Sequence, residues 1–189
     1  NHIEQNFGLA TLHSPMCGAF KTETENEAYL KTFYAAITGE SVYYHTPYSQ
    51  YNRKGEAHAP LTGGNLSLLA HIVGSPSEID TTGKILFIED IEEYLYKMDR
   101  MLLTLKRAGK FDGLKGLVVG YMTNMLDTDR PFGQTIEEII WDKVKEYDYP
   151  VCFNFPCGHE DINYTLTMGA MHTLKVTDSG GVLELKRVL

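Results

Sequence analysis

Two polar residues follow apolar runs at positions where side chains often do chemistry. Glu89 directly follows the apolar run 85–88, and His159 comes shortly after the apolar run 151–155, within Cys-Gly-His-Glu-Asp. In open parallel sheets, ligands gather beyond the carboxyl ends of the strands, so polar residues there are candidate site residues. Histidine suits proton transfer near neutral pH, and a carboxylate can hold its imidazole in one tautomer. Glu89 and His159 are therefore a candidate acid–base pair.

Each member of this pair also has an ordinary structural explanation. Glu89 could extend the acidic start of a following helix, beside Asp90, Glu92 and Glu93, because acids are favoured in a first turn. His159 could be a loop histidine without a chemical role, since position alone does not define a site. Spacing leaves both explanations open.

A catalytic pair of this kind needs a nucleophile, which the serines do not obviously supply. None of them lies in a Gly-x-Ser elbow between a strand and a helix. The serines are Ser14, Ser41, Ser49, Ser67, Ser75, Ser77 and Ser179. Cys157, two residues before His159, is an alternative nucleophile, although closeness in sequence does not bring side chains together. The residues alone therefore indicate half of a catalytic apparatus.

A metal site is a second chemistry that these residue types allow. Cys152, Cys157 and His159 carry the thiols and imidazole that zinc binds, but neither a CxxC pair nor an HExxH helix accompanies them. We expect no metal and no organic cofactor. The remaining histidines lack a companion pattern and are predicted to be structural. They are His13, His45, His58, His71 and His172.

The elements around the candidate pair alternate between strand and helix. Strands are predicted at 85–88, 117–120 and 151–155, with helices between them. The first helix has Asp90 as its N-cap and Glu93 in a capping box, and the second begins at Thr135. Alternation of this kind is typical of parallel strands joined by right-handed crossovers. The apolar positions that should face the core are Leu95, Met98, Leu102, Leu105, Ile136, Ile139, Ile140 and Val144.

The segments on either side of this unit are predicted less regularly. Residues 40–62 read as loop with short strands and as a domain junction, followed by a helix capped by Asn65. Residues 174–177 and 182–185 form a hairpin across a Gly-containing turn. A further helix begins at Thr24. A short strand is predicted at 9–12, and residues 1–8 resemble the end of a helix whose start is missing, so we expect a fragment.

Composition limits the partners and the location of the protein. The formal charge of −8 and the pI near 5.3 argue against nucleic acid or an anionic membrane surface, which bind clustered Lys and Arg. The sequence has neither a membrane-length apolar run nor a signal peptide. Its cysteines, Cys17, Cys152 and Cys157, fit thiols in a reducing compartment. A cytoplasmic protein is the expectation, and a homodimer is compatible with it.

Several spaced motifs together resemble the LD-carboxypeptidase family. Four of them are Gly-Gly-Asn-Leu at 63–66, Gly-Lys-Ile-Leu-Phe-Ile-Glu-Asp at 83–90, Tyr-x-x-Asp-Arg-Met-Leu at 96–102, and Gly-His at 158–159 with Asn163 and Gly169. The stretch 8–16 resembles the family segment that follows the nucleophile region. The resemblance covers essentially the whole chain, and ordered motifs are more specific than any one alone.

The resemblance implies a fold, an activity and a division of labour. Family members are cytoplasmic serine peptidases that release the terminal D-alanine of murein tetrapeptides with a Ser-Glu-His triad. A flavodoxin-like N-terminal domain supplies the serine, and a three-layer β/β/α domain of α/β class, with a parallel central sheet and a smaller antiparallel sheet, supplies Glu and His. By motif, Glu89 is the triad carboxylate and His159 the base. Residues 1–45 would be the tail of the upstream domain plus a linker helix, and residues 46–189 the C-terminal domain.

Departures from the family pattern define the remaining alternatives. The Gly-Tyr-Ser-Asp elbow is absent, so this chain alone is expected to be inactive. The usual Leu-Pro-x-Gly appears as Leu-Thr-Met-Gly at 166–169, and a His-Gly-Pro appears as His-Ser-Pro at 13–15. Related proteins inactivate peptide-nucleotide antibiotics, which is one alternative activity. A non-catalytic binding module and a cysteine enzyme using Cys157 are the others.

Overall fold

A computed structural model describes residues 2–16 and 27–186, with the side chains of residues 27 and 28 excepted. The helices among these residues are α1 His2–Phe7, α2 Glu27–Thr38, α3 Leu66–His71, α4 Leu95–Arg107 and α5 Ile136–Val144. The strands are β1 Thr11–His13, β2 Val42–Thr46, β3 Gly55–Asn65, β4 Ile85–Ile91, β5 Gly116–Thr123, β6 Val151–Cys152, β7 Leu166–Met168, β8 Met171–Thr177 and β9 Gly180–Leu185. The predicted helix start at Thr24, as well as Cys17, lies outside the described residues.

Seven of these strands form one mixed sheet in the order β2-β9-β8-β3-β4-β5-β6. Strands β3, β4, β5 and β6 are parallel, as the strand–helix alternation predicts. Strands β2, β9 and β8 pair antiparallel with one another and with the first half of β3. The long strand β3 therefore joins an antiparallel half of the sheet to a parallel half.

The sheet curls so that its two halves face each other. A Cβ on Gly181 of β9 would lie 2.3 Å from the Sγ atom of Cys152 on β6, although these strands are far apart in the strand order. The helices α3, α4 and α5 pack on the opposite face of the parallel half. Along β4, Leu86 and Ile88 face these helices while Ile85 and Phe87 face the antiparallel strands. This layering confirms the predicted fold class.

A separate two-stranded antiparallel sheet joins β1 to β7, with Leu12 opposite Thr167. The short strand predicted at 9–12 is present as β1, which begins two residues later, at Thr11. The predicted hairpin at 174–185 is present as β8 and β9, but it belongs to the main sheet. Strand β3 continues beyond its pairing with β8, which ends at Pro60. The small sheet lies beside this last part of β3, so β1 comes close to it.

Residues 40–62 are more ordered than the sequence predicts, because most of them belong to β2 and β3. The Tyr, Gly and Pro content of this segment suggests loop, yet β2 alternates buried and exposed side chains. Val42 and Tyr44 enter the core while Tyr43 is exposed, as expected for a strand with one solvated face. The domain boundary expected between residues 45 and 46 falls within β2.

The predicted role of Asp90 as the N-cap of α4 is wrong. Tyr94 occupies that position, and Asp90 lies inside β4, which continues alongside β5 beyond Glu89. The buried carboxylate of Asp90 instead accepts a hydrogen bond from the backbone N–H of Ser67 at 3.0 Å, in the first turn of α3. Pairing with β5 outweighs the local capping signal. The predicted start of α5 at Thr135 is confirmed, and the structure adds a capping box formed by Thr135 and Glu138.

Candidate functional site

The structure brings the two predicted site residues into direct contact. The Nδ1 atom of His159 lies 2.8 Å from the Oε2 atom of Glu89. The side chain of Glu89 is completely buried, whereas 47% of the His159 side chain is exposed. Glu89 lies in β4, and His159 lies in the loop that follows β6, with β5 between the two strands. The loop after β6 therefore has to pass back across β5 to place the histidine.

Two glycines allow that passage. A Cβ on Gly120 of β5 would lie 2.5 Å from the carbonyl oxygen of Cys157, which accepts a hydrogen bond from the N–H of Tyr121. Gly158 has φ of 142°, and its Cβ would be 3.2 Å from Glu89 Oε2. The N–H of Gly158 donates to Asn163 Oδ1 at 3.1 Å, which closes the loop. Backbone thus lies where other residues would place side chains.

The surroundings of Glu89 perturb its proton affinity. Burial raises the pKa of Glu89, and the hydrogen bond and charge of His159 oppose that effect. Its second oxygen, Oε1, has no hydrogen-bond partner among residues 2–16 and 27–186. When Glu89 is ionised and the imidazole is neutral, Nδ1 of His159 carries the proton and donates a hydrogen bond to the carboxylate. Nε2 is then the unprotonated nitrogen, which can accept a proton.

A polar chain next to Glu89 links the ends of β3 and β4. Asn65 lies opposite Glu89 in the strand register, and its amide donates to Asp90 Oδ1 at 2.9 Å. The hydroxyl of Ser67 donates to Asn65 Oδ1 at 2.7 Å. Burial raises the pKa of Asp90, and hydrogen bonds from the N–H of Ile91, the Asn65 amide and the N–H of Ser67 oppose that effect. Asn65 also caps α3 as predicted, so the same residue stabilises the start of a helix and holds Asp90 next to Glu89.

His13 is the residue near the site whose position the sequence interpretation missed. It ends β1, and its ring lies edge-on to Phe87 with the ring centroids 5.2 Å apart. Burial, with a smaller contribution from the charge of His159, lowers the pKa of His13 to about 4. Nothing in local spacing singles out His13, because the small sheet that places it pairs segments more than 150 residues apart. Its occurrence in the His-Ser-Pro motif at 13–15 was the available signal.

Cys157 does not have the environment of a reactive thiol. It is fully buried, its Sγ atom donates to the carbonyl oxygen of Tyr164 at 3.1 Å, and burial raises its pKa well above the ordinary value. The cysteine-enzyme alternative requires a hydrogen bond to His159, and the described residues show none. They also contain no group of three or more His, Cys, Asp or Glu side chains that could hold a metal ion.

The arrangement has the geometry of a candidate base held by an orienting carboxylate. Among the described residues, Glu89 is the hydrogen-bond partner of His159, and no serine or threonine hydroxyl takes that place. The contact between Glu89 and His159 also weighs against a non-catalytic binding module, for which no such pairing is needed.

None of the described helices has the length and apolar character needed to cross a membrane.

Known proteins resemble this chain in both sequence and structure. A Bacillus subtilis (strain 168) protein named "Probable murein peptide carboxypeptidase" is 33% identical over 186 residues, covering 96% of this chain and 58% of the relative. The crystal structure of muramoyltetrapeptide carboxypeptidase from Oxalobacter formigenes superposes with a TM-score of 0.84 at 28% identity, covering 95% of this chain and 62% of that one. The microcin C7 self immunity protein MccF shares the fold, with a TM-score of 0.81 at 19% identity, covering 100% of this chain and 64% of that one.

These relatives are longer, so the chain spans about three fifths of their length. The family model described as LD-carboxypeptidase C-terminal domain matches residues 58–174, a stretch that contains both Glu89 and His159. On this match, the chain belongs to the LD-carboxypeptidase family.

Proposed function

We propose that this chain is the C-terminal part of a serine-type LD-carboxypeptidase that releases the terminal D-alanine from murein tetrapeptides. The observation that carries the proposal is the 2.8 Å contact between the buried Glu89 carboxylate and the half-exposed His159 imidazole. The Bacillus and Oxalobacter relatives support the substrate class by their names. Residues 1–45 would belong to the tail of a flavodoxin-like domain plus a linker helix, and residues 46–189 to the C-terminal domain.

In the proposed mechanism, a serine supplied by the upstream domain attacks the carbonyl carbon of the scissile bond. His159 takes the serine proton through Nε2 and later gives it to the leaving amine, while Glu89 stabilises the imidazolium. Donors of the upstream domain would stabilise the oxyanion, and water would resolve the acyl-enzyme. This route uses no metal and no organic cofactor. A cytoplasmic location would suit peptides recovered from the cell wall.

The experiment compares two forms of the protein on one substrate. D-alanine release from an L,D-tetrapeptide is measured for the 189-residue chain and for the product of the complete reading frame. We expect release by the longer protein and none by the 189-residue chain, because the base alone has no nucleophile to activate. D-alanine release by the purified 189-residue chain would contradict the divided triad.

Cleavage of a peptide-nucleotide antibiotic is the second candidate function. It is supported by the structural similarity to the microcin C7 self immunity protein, at an identity that shows the fold alone. Both substrates are given to the longer protein under identical conditions. Preference for the tetrapeptide is the expected result, and preference for the peptide-nucleotide would replace the main proposal.

A further inference from the structure

A cavity beside the candidate pair has a composition that suits a peptide. It has a volume of about 200 Å³ and is lined by residues 11–13 of β1, residues 63–65 of β3, Leu68 of α3 and Met168 of β7. Leu12 and Leu68 are partly exposed there, so the cavity has an accessible apolar wall. The polar side of the wall comes from Asn65, His13 and the backbone of two glycines. Among the described residues that line it, none is a lysine or an arginine.

The cavity is adjacent to the candidate base. Asn65, in its wall, is paired with Glu89 in the parallel register of β3 and β4. The ring of His13 packs on Phe87, two residues before Glu89, and His13 lies within electrostatic range of His159. A substrate whose reacting bond lies at His159, and whose chain continues past the end of β3, would therefore place that part of its chain in this cavity.

His13 is the cavity residue with unused hydrogen-bonding capacity. Its imidazole nitrogens make no hydrogen bond to any part of residues 2–16 and 27–186, although its ring is largely enclosed. Its low pKa keeps the imidazole neutral at physiological pH. A neutral imidazole offers one donor and one acceptor, which match an uncharged amide rather than a carboxylate.

The backbone of β3 leaves room for a ligand at this point. Gly64 has a φ angle of 140°, and a Cβ there would point to within 3.8 Å of His13 Nδ1. Pairing of β3 with β8 ends at Pro60. Beyond that residue a side chain on Gly64 would occupy the space in front of His13. The absence of a side chain keeps the imidazole accessible.

We propose that His13 contacts the substrate directly, by a hydrogen bond from its imidazole to a backbone amide on the acyl side of the scissile bond. The acyl side follows from charge, because the leaving D-alanine carries a free carboxylate and the cavity offers no cation to bind it. The inference rests on the proposed peptidase function. It adds a substrate-binding residue outside the Glu89–His159 pair.

Two substitutions separate this role from ring packing against Phe87. His13→Phe keeps a ring and removes both nitrogens, whereas His13→Gln keeps a donor and an acceptor without the ring. For tetrapeptide cleavage by the longer protein we expect KM to rise about tenfold in His13→Phe, as for the loss of one hydrogen bond. We expect a smaller rise in His13→Gln and a kcat that changes little in both.

The control is His58→Phe, which replaces an exposed histidine of β3 whose Nδ1 atom lies 3.0 Å from the hydroxyl of Thr173. It should leave KM unchanged. If His13 acts by ring packing alone, the order of the KM values is reversed, with His13→Phe close to the wild type and His13→Gln impaired. That result would overturn the inference.

The outcomes keep the inference separate from the proposed function. If the wild type binds the tetrapeptide without cleaving it, the proposed function fails, and the order of Kd among the same variants by calorimetry decides the role of His13. If the wild type neither cleaves nor binds the peptide, both are overturned.

Discussion

At the scale of single residues, burial of the Glu89 carboxylate has a free-energy cost. A carboxylate with no exposed surface loses its hydration, and one of its oxygens has no hydrogen-bond partner among the described residues. A core position of this kind would be more stable with an apolar or neutral residue. The contact with His159 gives Glu89 a chemical use that such a residue would not have.

Glu89→Gln tests that use. The variant keeps the shape of the side chain and removes the charge that would stabilise the His159 cation. We expect kcat of the longer protein to fall by about 10²- to 10⁴-fold, on the scale found for triad carboxylates, with unchanged or increased thermal stability. The matched control is Glu92→Gln at an exposed acid of the same segment, which should retain activity. A Glu89→Gln enzyme with wild-type kcat would remove Glu89 from the mechanism.

His172 makes a prediction about acid stability. It is fully buried in β8, and burial lowers its pKa to about 4 in the folded protein. The unfolded chain, with an ordinary histidine pKa near 6.5, therefore binds a proton between about pH 6.5 and 4 that the folded chain does not. Its contribution to stability is full above pH 6.5 and is lost progressively towards pH 4.

The measured quantity is the free energy of unfolding by denaturant at a series of pH values. His172 should contribute a decrease of about 3 kcal/mol between pH 6.5 and 4, and His172→Gln should show a correspondingly flatter profile. Parallel profiles for the two proteins would show that folding does not lower the pKa of His172. His58→Gln, at an exposed position, is the control.

At the scale of elements, the site depends on how the loop after β6 crosses β5. The crossing brings the backbone of Cys157 against Gly120 and the backbone of Gly158 against Glu89. The candidate base is therefore placed by backbone contacts, with the Asn163 side chain of its own loop holding the N–H of Gly158. A methyl group at Gly120 would overlap the backbone of Cys157, and one at Gly158 would press against Glu89 and Tyr121.

Gly158→Ala tests the crossing. A Cβ there would lie 3.2 Å from both Glu89 Oε2 and the Cβ of Tyr121, so the loop has to move and carry His159 away from Glu89. We expect kcat to fall by at least about tenfold, since small misplacement of a catalytic group is costly. The measurement is D-alanine release by the longer protein, with thermal unfolding in parallel.

Gly133→Ala is the matched control for this variant. Gly133 also has a positive φ, of 87°, but nothing lies within 4 Å of its Cβ position. Both variants should lose about 1 kcal/mol of stability from backbone strain. If both kept full activity, the close approach of Gly158 to Glu89 would have no bearing on catalysis.

At the scale of the whole molecule, α1 is tied to the sheet by a buried polar contact. Glu4 accepts hydrogen bonds from Thr62 of β3 at 3.0 Å and from Lys84 at 3.2 Å, just before β4. The Glu4 side chain is 8% exposed, so this ion pair is mostly shielded from water. Around it, α1 exposes Ile3 and Phe7 to solvent. Polar contacts therefore carry much of the attachment of α1 to the described fold.

Lys84→Met tests this attachment. The variant would leave the buried Glu4 carboxylate without its cation. We therefore expect the free energy of unfolding to fall by about 1–3 kcal/mol and amide hydrogen exchange in residues 2–7 to become faster. The double variant Glu4→Gln/Lys84→Met should lose less than the sum of the two single variants, because the unpaired charge is gone. Strictly additive losses would show that the two side chains do not interact. Lys54→Met, which removes an exposed ion pair with Asp178, is the control.

Much of the fold was predictable because its signals are local. The stripe that includes Met98 and Leu102 and the capping box at Thr135 are encoded within a few residues, and the structure has both. Alternation of strand and helix was enough to predict the parallel half of the sheet. Glu89 and His159 were predictable as candidates from their places after apolar runs, although their catalytic role stays a prediction.

Tertiary structure alone decided which groups meet at the site. Glu89 and His159 are 70 residues apart, and the passage of the loop after β6 across β5, at the glycines 120 and 158, brings them to 2.8 Å. Asp90 reads locally as a helix cap, but pairing of β4 with β5 keeps it in the strand. His13 reaches the cavity because β1 pairs with β7 at the far end of the chain. The sequence by itself determined the elements and the candidate pair, whereas the neighbours of that pair come from distant segments, and local patterns cannot encode contacts made across a sheet.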